Sequence, residues 1–596
     1  MERRTFLAAG AVGLTSAIIG RSQAETGAPS AVAGQVTLLD FIPREAWGEI
    51  RNGVSSFDVG PLIARANALG GEVRVTAGRY HIGSSSIFTV PVRLDAGALF
   101  DVAAGRALTF KAGFFANPSA HVFDGNGSVA FNAATTSTGY PEWWGARTGD
   151  ATCDCQPALA ACVTACSITK LAPADYWISN TWAIETTARV IEGVNGDADG
   201  SDPQTRIVMS SATSDIIRVG LDRQPQVGAV KGFPGFIHLK DLTVTRAVAP
   251  APPQSGFSGP AGFRLQWLTS CSFENLWSNE STNGFYIKGL VFCKLNDCHG
   301  YRSRAGANPQ NDYFAAFLQD NSARIGLNSG NASIYYDRCS AVAGLYEGSG
   351  PRTTYGIYTV GGFTDTFVFK METSGIQYGQ VWNGSSEPTP YPAEDLIVTD
   401  CVLDGCIQGI VINAPVSLNA AAVLKGNYFG SAGAQSTDGI LVSGTIGAIS
   451  ITANQFIGGS ANIATRGLHI LNASGVIASS NIYTDLGAPV VLQASKNCRI
   501  ADLVDIQQPG VRGAAAVSLV DSRRNVIDCT LRGRSPAYAA GVAISGASSE
   551  YNEVRCSGLD PDVIVGGPSN KLVSNGARIT TAGPFGGKNL ASGIME

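Results

Sequence analysis

Charge is scarce in this chain. Only 15% of its 596 residues are Asp, Glu, Lys or Arg, and 42 cations against 47 anions leave a net charge of -5 with no basic cluster. A chain without a basic patch is not built to neutralise phosphates or to adhere to an anionic bilayer, so neither nucleic acid nor membrane is expected as a partner. Long apolar runs are missing too: apart from a short one at the N-terminus, nothing approaches the ~20 residues needed to span a bilayer. What is abundant is glycine, 71 residues, distributed among short β-favouring segments. That combination points to one long solenoid with an N-terminal elaboration rather than to several globular domains.

The solenoid is written as a repeat. A marked position recurs at Cys271, Cys298, Cys339, Glu372, Cys401, Asn427, Asn454, Asn481, Leu503, Cys529 and Cys556, and several of the steps between them are 27 residues. A second series, Gly followed by an alternating apolar strand, runs through Gly284, Gly356, Gly409, Gly439, Gly467 and Gly541. Two strand signals per period fit one turn of an all-β, parallel β-helix, each strand pairing with its counterpart ~4.8 Å above and below. Asn side chains stacked in such a column hydrogen-bond along it, and Cys serves there as a small buried hydrophobe.

The first residues, with Arg3-Arg4, an apolar stretch from Ala8 to Gly20 and Ser22-Gln-Ala24, resemble a twin-arginine export signal. The mature chain is therefore expected outside the cytoplasm, periplasmic or secreted. Thirteen cysteines then permit disulfides. The cluster Cys153, Cys155, Cys162 and Cys166 is expected to form one or two local bridges, since its spacing matches no common zinc pattern. No metal or other cofactor is expected.

Two segments ahead of the repeat share one plan of turn, short helix, strand and tight turn. The first runs from Asp40-Phe-Ile-Pro through Asn52 to Asp58 and a helix over Pro61 to Leu69, to Gly78-Arg-Tyr80-His-Ile82. The second runs from Trp144-Gly-Ala-Arg-Thr-Gly-Asp150 through a helix over Gln156 to Cys166, to Pro173-Ala-Asp-Tyr176-Trp-Ile178. Helices here would cap the open end of a solenoid. These motifs resemble the opening of pectate-lyase-superfamily proteins, including phage tailspike depolymerases, and the first copy is closest to the tailspike variant. The resemblance implies a right-handed parallel β-helix and a polysaccharide partner, and leaves open a homotrimer such as tailspikes form. The expected organisation is a signal peptide at 1–24, a linker at 25–39, a first capping module at 40–138, a second capping module with the first coils at 139–250, the β-helix at 251–576 and a tail at 577–596. The superfamily's better-known catalytic signatures, Gly-His-Gly, Arg-Ile-Lys and Arg-x-Pro-x-x-Arg, are missing, so the site has to be argued locally.

Insertions into a solenoid build its binding surface. The steps from Cys298 to Cys339 and on to Glu372 are stretched to 41 and 33 residues, whereas the coils from Asn413 to Val476 hold almost no charge. Asp337, Glu372 and Asp400 come from successive repeats and are the candidate catalytic carboxylates of a glycoside hydrolase, which needs two such groups. Glu372, standing in the marked column, is expected to be a buried acid. A polysaccharide lyase would instead use a cation and a base, types supplied by Tyr301, Arg302 and Arg304. Trp277 and Trp382 are the aromatics expected to stack on sugar. The expected function is polysaccharide cleavage, with a non-catalytic carbohydrate-binding or structural rod as the alternative.

Overall fold

A computed structural model describes residues 36–581 apart from internal stretches, chiefly 195–203, 226–231, 254–258, 304–312, 323–330, 344–352, 385–393, 414–420, 431–436, 459–464 and 508–512, and shorter ones at 445 and beyond 533. The expected signal peptide, nearly all of the linker and of the C-terminal tail, and Arg304 lie outside the described residues.

From Thr138–Gly139 to Ile579–Thr581 every strand pairing is parallel, and through most of the rod a strand pairs with the third one further along the chain. Ala332–Asp337, for instance, pairs with Thr364–Phe369 and that with Glu394–Thr399. Three strands per turn make a three-sided, right-handed parallel β-helix. We call the sheet containing these strands A, the sheet of Ser340–Ala343, Glu372–Ser374 and Val402–Asp404 B, and the sheet of Tyr313–Asp320, Thr353–Val360, Tyr378–Asn383, Gln408–Asn413, Asp438–Ser443 and Arg466–Leu471 C.

The corner from A to B is one residue wide. Asp297, Arg338, Lys370, Asp400, Gly426, Ala453 and Ser480 all have φ between 50° and 69°, and the residue after each turns inward. The inward column reads Leu276, Cys298, Cys339, Met371, Cys401, Asn427, Asn454, Asn481, Asp502, Cys529, Cys556. Asn427, Asn454 and Asn481 are fully buried and linked: Asn427 Nδ2 donates to Asn454 Oδ1 and Asn454 Nδ2 to Asn481 Oδ1, each at 2.9 Å. Each side-chain oxygen also accepts the backbone N–H of the column residue before it.

Three expected members of the column are corrected. Met371 is inward and Glu372 is exposed; Asp502 is inward in place of Leu503; and Cys271 belongs to another corner, beside Cys293. A slip of one residue reverses the face of a strand, and the stretched coils removed the fixed step that set the register. A second ladder, Cys498, Asn525, Asn552 and Asn570, runs along the C-to-A corner.

The glycine series fits against aromatics. Phe429, Phe456 and Tyr483 stack inside sheet B at 4.7 and 4.8 Å between ring centroids. A Cβ on Gly409, Gly439 or Gly467 would lie 2.3–2.5 Å from one of these rings. Glycine is therefore what lets the two inner walls approach.

Residues 36–131 form a smaller β-helix with its own core. Its three short parallel sheets step by about 20 residues per coil, as in Val73–Val75, Val92–Leu94 and Phe114–Phe115. None continues into the rod; Trp144 packs against both cores instead. The helices Gly60–Asn67 and Gln156–Ala165 stand where the sequence places them. The cysteines at 153, 155, 162 and 166 are free thiols rather than the expected bridges; Cys155 and Cys162 point into the core, and burial pushes the Cys155 pKa up to about 12.

Candidate functional site

The stretched coils place their extra length at two of the three corners. Between B and C the chain runs from Arg302 to Tyr313, Ala343 to Thr353, Gly430 to Asp438 and Ile457 to Arg466. Between C and A it runs from Asp320 to Ala332, Asn383 to Glu394 and Asn413 to Ala422. Sheet C is thus the sheet whose strands begin and end at the long connections, and we call its outer surface the floor.

That floor is written by alternation. Phe263, Phe285, Phe317, Ile357, Gln380, Ile410, Ile440 and Leu468 stack inward in register, so their neighbours face out. Asp215 is bidentate with Arg264, whose guanidinium lies 4.1 Å from the centre of the Tyr286 ring. Tyr286 Oη and Lys288 Nζ both donate to Asp320 Oδ2, at 2.6 and 2.8 Å. Burial raises the Asp320 pKa, but hydrogen bonds from Lys288, Ser322 and Tyr286 outweigh it and leave the pKa below its ordinary value. Next come half-buried tyrosines: Tyr355 stacks on Tyr378 at 5.0 Å and touches Tyr358 and Tyr313 at 4.5 and 5.6 Å.

Beyond the tyrosines lies Asp438. Gln408 Nε2 donates to its Oδ2 at 3.0 Å, Arg466 Nε to its Oδ1 at 2.6 Å and Arg466 Nη2 to its Oδ2 at 3.1 Å. His469 Nδ1 is 3.2 Å from Oδ1 but out of line for a hydrogen bond. Burial would raise the Asp438 pKa; His469 and Arg466 instead hold it at about 2. Of this cluster Arg466 is the most open, its side chain 35% exposed.

The residues singled out in the sequence fall elsewhere. Trp277, Tyr301 and Glu372 lie on the outside of sheet B, where Trp277 stacks on His299 at 4.1 Å. Asp337 and Asp400 do come together, lining a groove of about 580 Å³ along sheet A with Lys294, Tyr335, Phe369 and Lys370. Asp337 there pairs with Arg338 at 3.2 Å. Trp382, expected to be exposed, is a core residue with 0% exposure, its Nε1 donating to Gln380 Oε1. Alternation decides this, since Gln380 and Trp382 share the inward phase. Arg302 is likewise buried, donating to the Tyr313 carbonyl at 2.7 Å at the entry to a sheet C strand.

The floor was overlooked because its residues are dispersed from position 215 to 469. The signal that would have found it is local: Asp438, Arg466 and His469 are among the few ionisable residues in coils otherwise without charge.

No family model matches the chain, and no curated protein does. Among solved structures it is similar to the A-module of a mannuronan C-5 epimerase from Azotobacter vinelandii, at 14% identity and a TM-score of 0.39, over 75% of this chain and 99% of that one. Tailspike protein 3 of bacteriophage CBA120 gives 12% and 0.41, over 71% and 62%, and the pre-mature gene product 12 of bacteriophage phi29 gives 13% and 0.41, over 76% and 56%. This chain thus spans less than two thirds of the length of either phage protein. The parallel β-helix is established by the strand pairing itself, and likeness at such identities carries nothing about chemistry.

Proposed function

We propose that the protein is exported, binds a polysaccharide along the outer surface of sheet C and cleaves it. The observation that carries this reading is the tyrosine group Tyr355, Tyr358 and Tyr378, set between ion-paired clusters on the outer surface of sheet C. Tyrosines with one apolar face and a polar tip suit sugar rings.

Hydrolysis needs a carboxylic acid that holds its proton. The described carboxylates of the floor are poor candidates: Asp215 is paired with Arg264, Asp320 is shifted down, and Asp438 is held at about 2. Elimination beside a uronate asks for a cation and a base instead. Arg466 would serve as the cation, and His469, 3.2 Å from the Asp438 carboxylate that Arg466 holds, is the nearest base, whereas Tyr378 stands three coils away in register through Gln408 and Asp438. Hydrolysis keeps one specific support, the shared groove of Asp337 and Asp400 on sheet A.

The test is a screen of the purified chain against neutral and acidic polysaccharides, following both new reducing ends and the absorbance of an unsaturated product. Elimination predicts the absorbance, and its loss by about 100-fold or more in Arg466→Gln or His469→Gln. If Asp337→Asn or Asp400→Asn abolishes cleavage while the sheet C variants keep it, the hydrolase reading wins. Binding without cleavage by the wild type leaves a non-catalytic rod.

A further inference from the structure

The two β-helices differ in girth, and their junction leaves a notch. The small helix turns once in about 20 residues, the rod in about 27. Its sheet of Val36–Thr37, Val73–Val75, Val92–Leu94 and Phe114–Phe115 ends without a partner strand from the rod. The last strand is met by a side chain instead, Phe114 N donating to Thr136 Oγ1 at 3.1 Å. The space left beside it is about 600 Å³, within the ~300–1,000 Å³ usual for small-molecule sites.

Its lining is aromatic at the back and polar at the rim. Trp143 is anchored by its Nε1, which donates to the Asn117 carbonyl at 3.0 Å. Tyr140 packs against Trp143 at 5.3 Å, and its hydroxyl makes no hydrogen bond among the described residues. Phe115 is 46% exposed, and Arg93 lies 4.8 Å over it. Arg93 is held there by Glu72, with Nε to Oε1 at 2.9 Å and Nη2 to Oε2 at 3.2 Å. Ser137 and Thr138 add hydroxyls to the lining. What sets Phe115 apart is its place in one concave lining with Trp143 and the open hydroxyl of Tyr140, which suits a ligand with an apolar face and a rim of hydroxyl groups.

We propose that this notch is a saccharide-binding site, separate from sheet C, that seats one or two neutral sugar units against Phe115 with their hydroxyls toward Tyr140, Ser137 and Arg93. Its task is to hold a glycan at the N-terminal end of the rod while sheet C engages a chain further along.

The experiment titrates the full chain with a neutral hexasaccharide and, separately, a uronate hexasaccharide, following heat and tryptophan fluorescence. The neutral probe is expected to bind, and Phe115→Ala to weaken it about tenfold or more, the scale of losing one well-packed aromatic contact. Tyr140→Phe, which leaves the packing intact, is expected to weaken it by a smaller factor, and neither variant to change the binding of the uronate hexasaccharide. Neutral-sugar affinity that is the same in wild type, Phe115→Ala and Tyr140→Phe overturns the proposal, as does a wild type that binds neither probe at millimolar concentration. Loss of neutral-sugar binding in Tyr378→Ala, with Phe115→Ala and Tyr140→Phe as wild type, assigns that binding to sheet C and overturns the notch, leaving the reading of sheet C untouched.

Discussion

Asp502 stands at the end of a run of asparagines and takes their place in the ladder, accepting from the Asn481 backbone and side-chain N–H at 3.0 Å and from Tyr483 Oη at 2.9 Å. Burial raises its pKa from 3.8 to about 6, more than those hydrogen bonds lower it. A carboxyl raised in the folded state favours folding while it is protonated, so its contribution is full below about pH 4 and is lost as pH rises through about 6. Asp502→Asn is therefore expected to stabilise the rod at pH 7 by roughly 2–3 kcal/mol, at 1.36 per pKa unit, and to change little near pH 4; thermal midpoints at the two pH values check it. Asn454→Ala should go the other way. It leaves the backbone N–H of Asn427 and the Leu424 carbonyl without the partners that Asn454 gives them, at ~1–3 kcal/mol for each buried group.

At the scale of strands and corners, what the sequence displayed was the step of 27 and the asparagines that ride on it. A buried amide must be hydrogen-bonded, so one that recurs at a fixed interval inside apolar runs has its own copies as the natural partners, and the column was found where Asn marks it. Glu372 and Leu503 were set one residue out because their coils carry no such mark, and in a strand one residue is the difference between core and solvent. The floor of sheet C was illegible for another reason. Its members meet only because the coil closes after three strands, and nothing in the local pattern says which side will be left open. The glycine series was visible, but not its cause. Gly439 faces Phe456, with 2.5 Å left for a Cβ, so Gly439→Ala is expected to cost about 1–3 kcal/mol as an overpacked site. Combining it with Phe456→Leu should recover part of that loss, a coupling that a double-mutant cycle reads directly.

Across the whole molecule the two helices are joined by side-chain packing at Trp143 and Trp144 and by no shared sheet. They are expected to unfold in two steps, since strand pairing transmits cooperativity along each but stops at the junction. Calorimetry of the full chain should resolve two transitions, and Trp144→Ala should move them apart; a single transition in both proteins contradicts this. Export belongs to this scale as well. Replacing Arg3 and Arg4 with Lys is expected to retain the precursor in the cytoplasm, and undiminished secretion of that variant refutes the twin-arginine route.

The equal steps from Asn427 to Asn454 to Asn481 make the rod a ruler with interchangeable gradations. Excising residues 454–480 would bring Asn481 to the place of Asn454, with every inward residue falling on its proper neighbour. Such a deletion would move Arg466 out of the molecule together with its coil and shorten the distance between the ends by one strand spacing, ~4.8 Å. Length is thus a quantity that this architecture changes by whole coils.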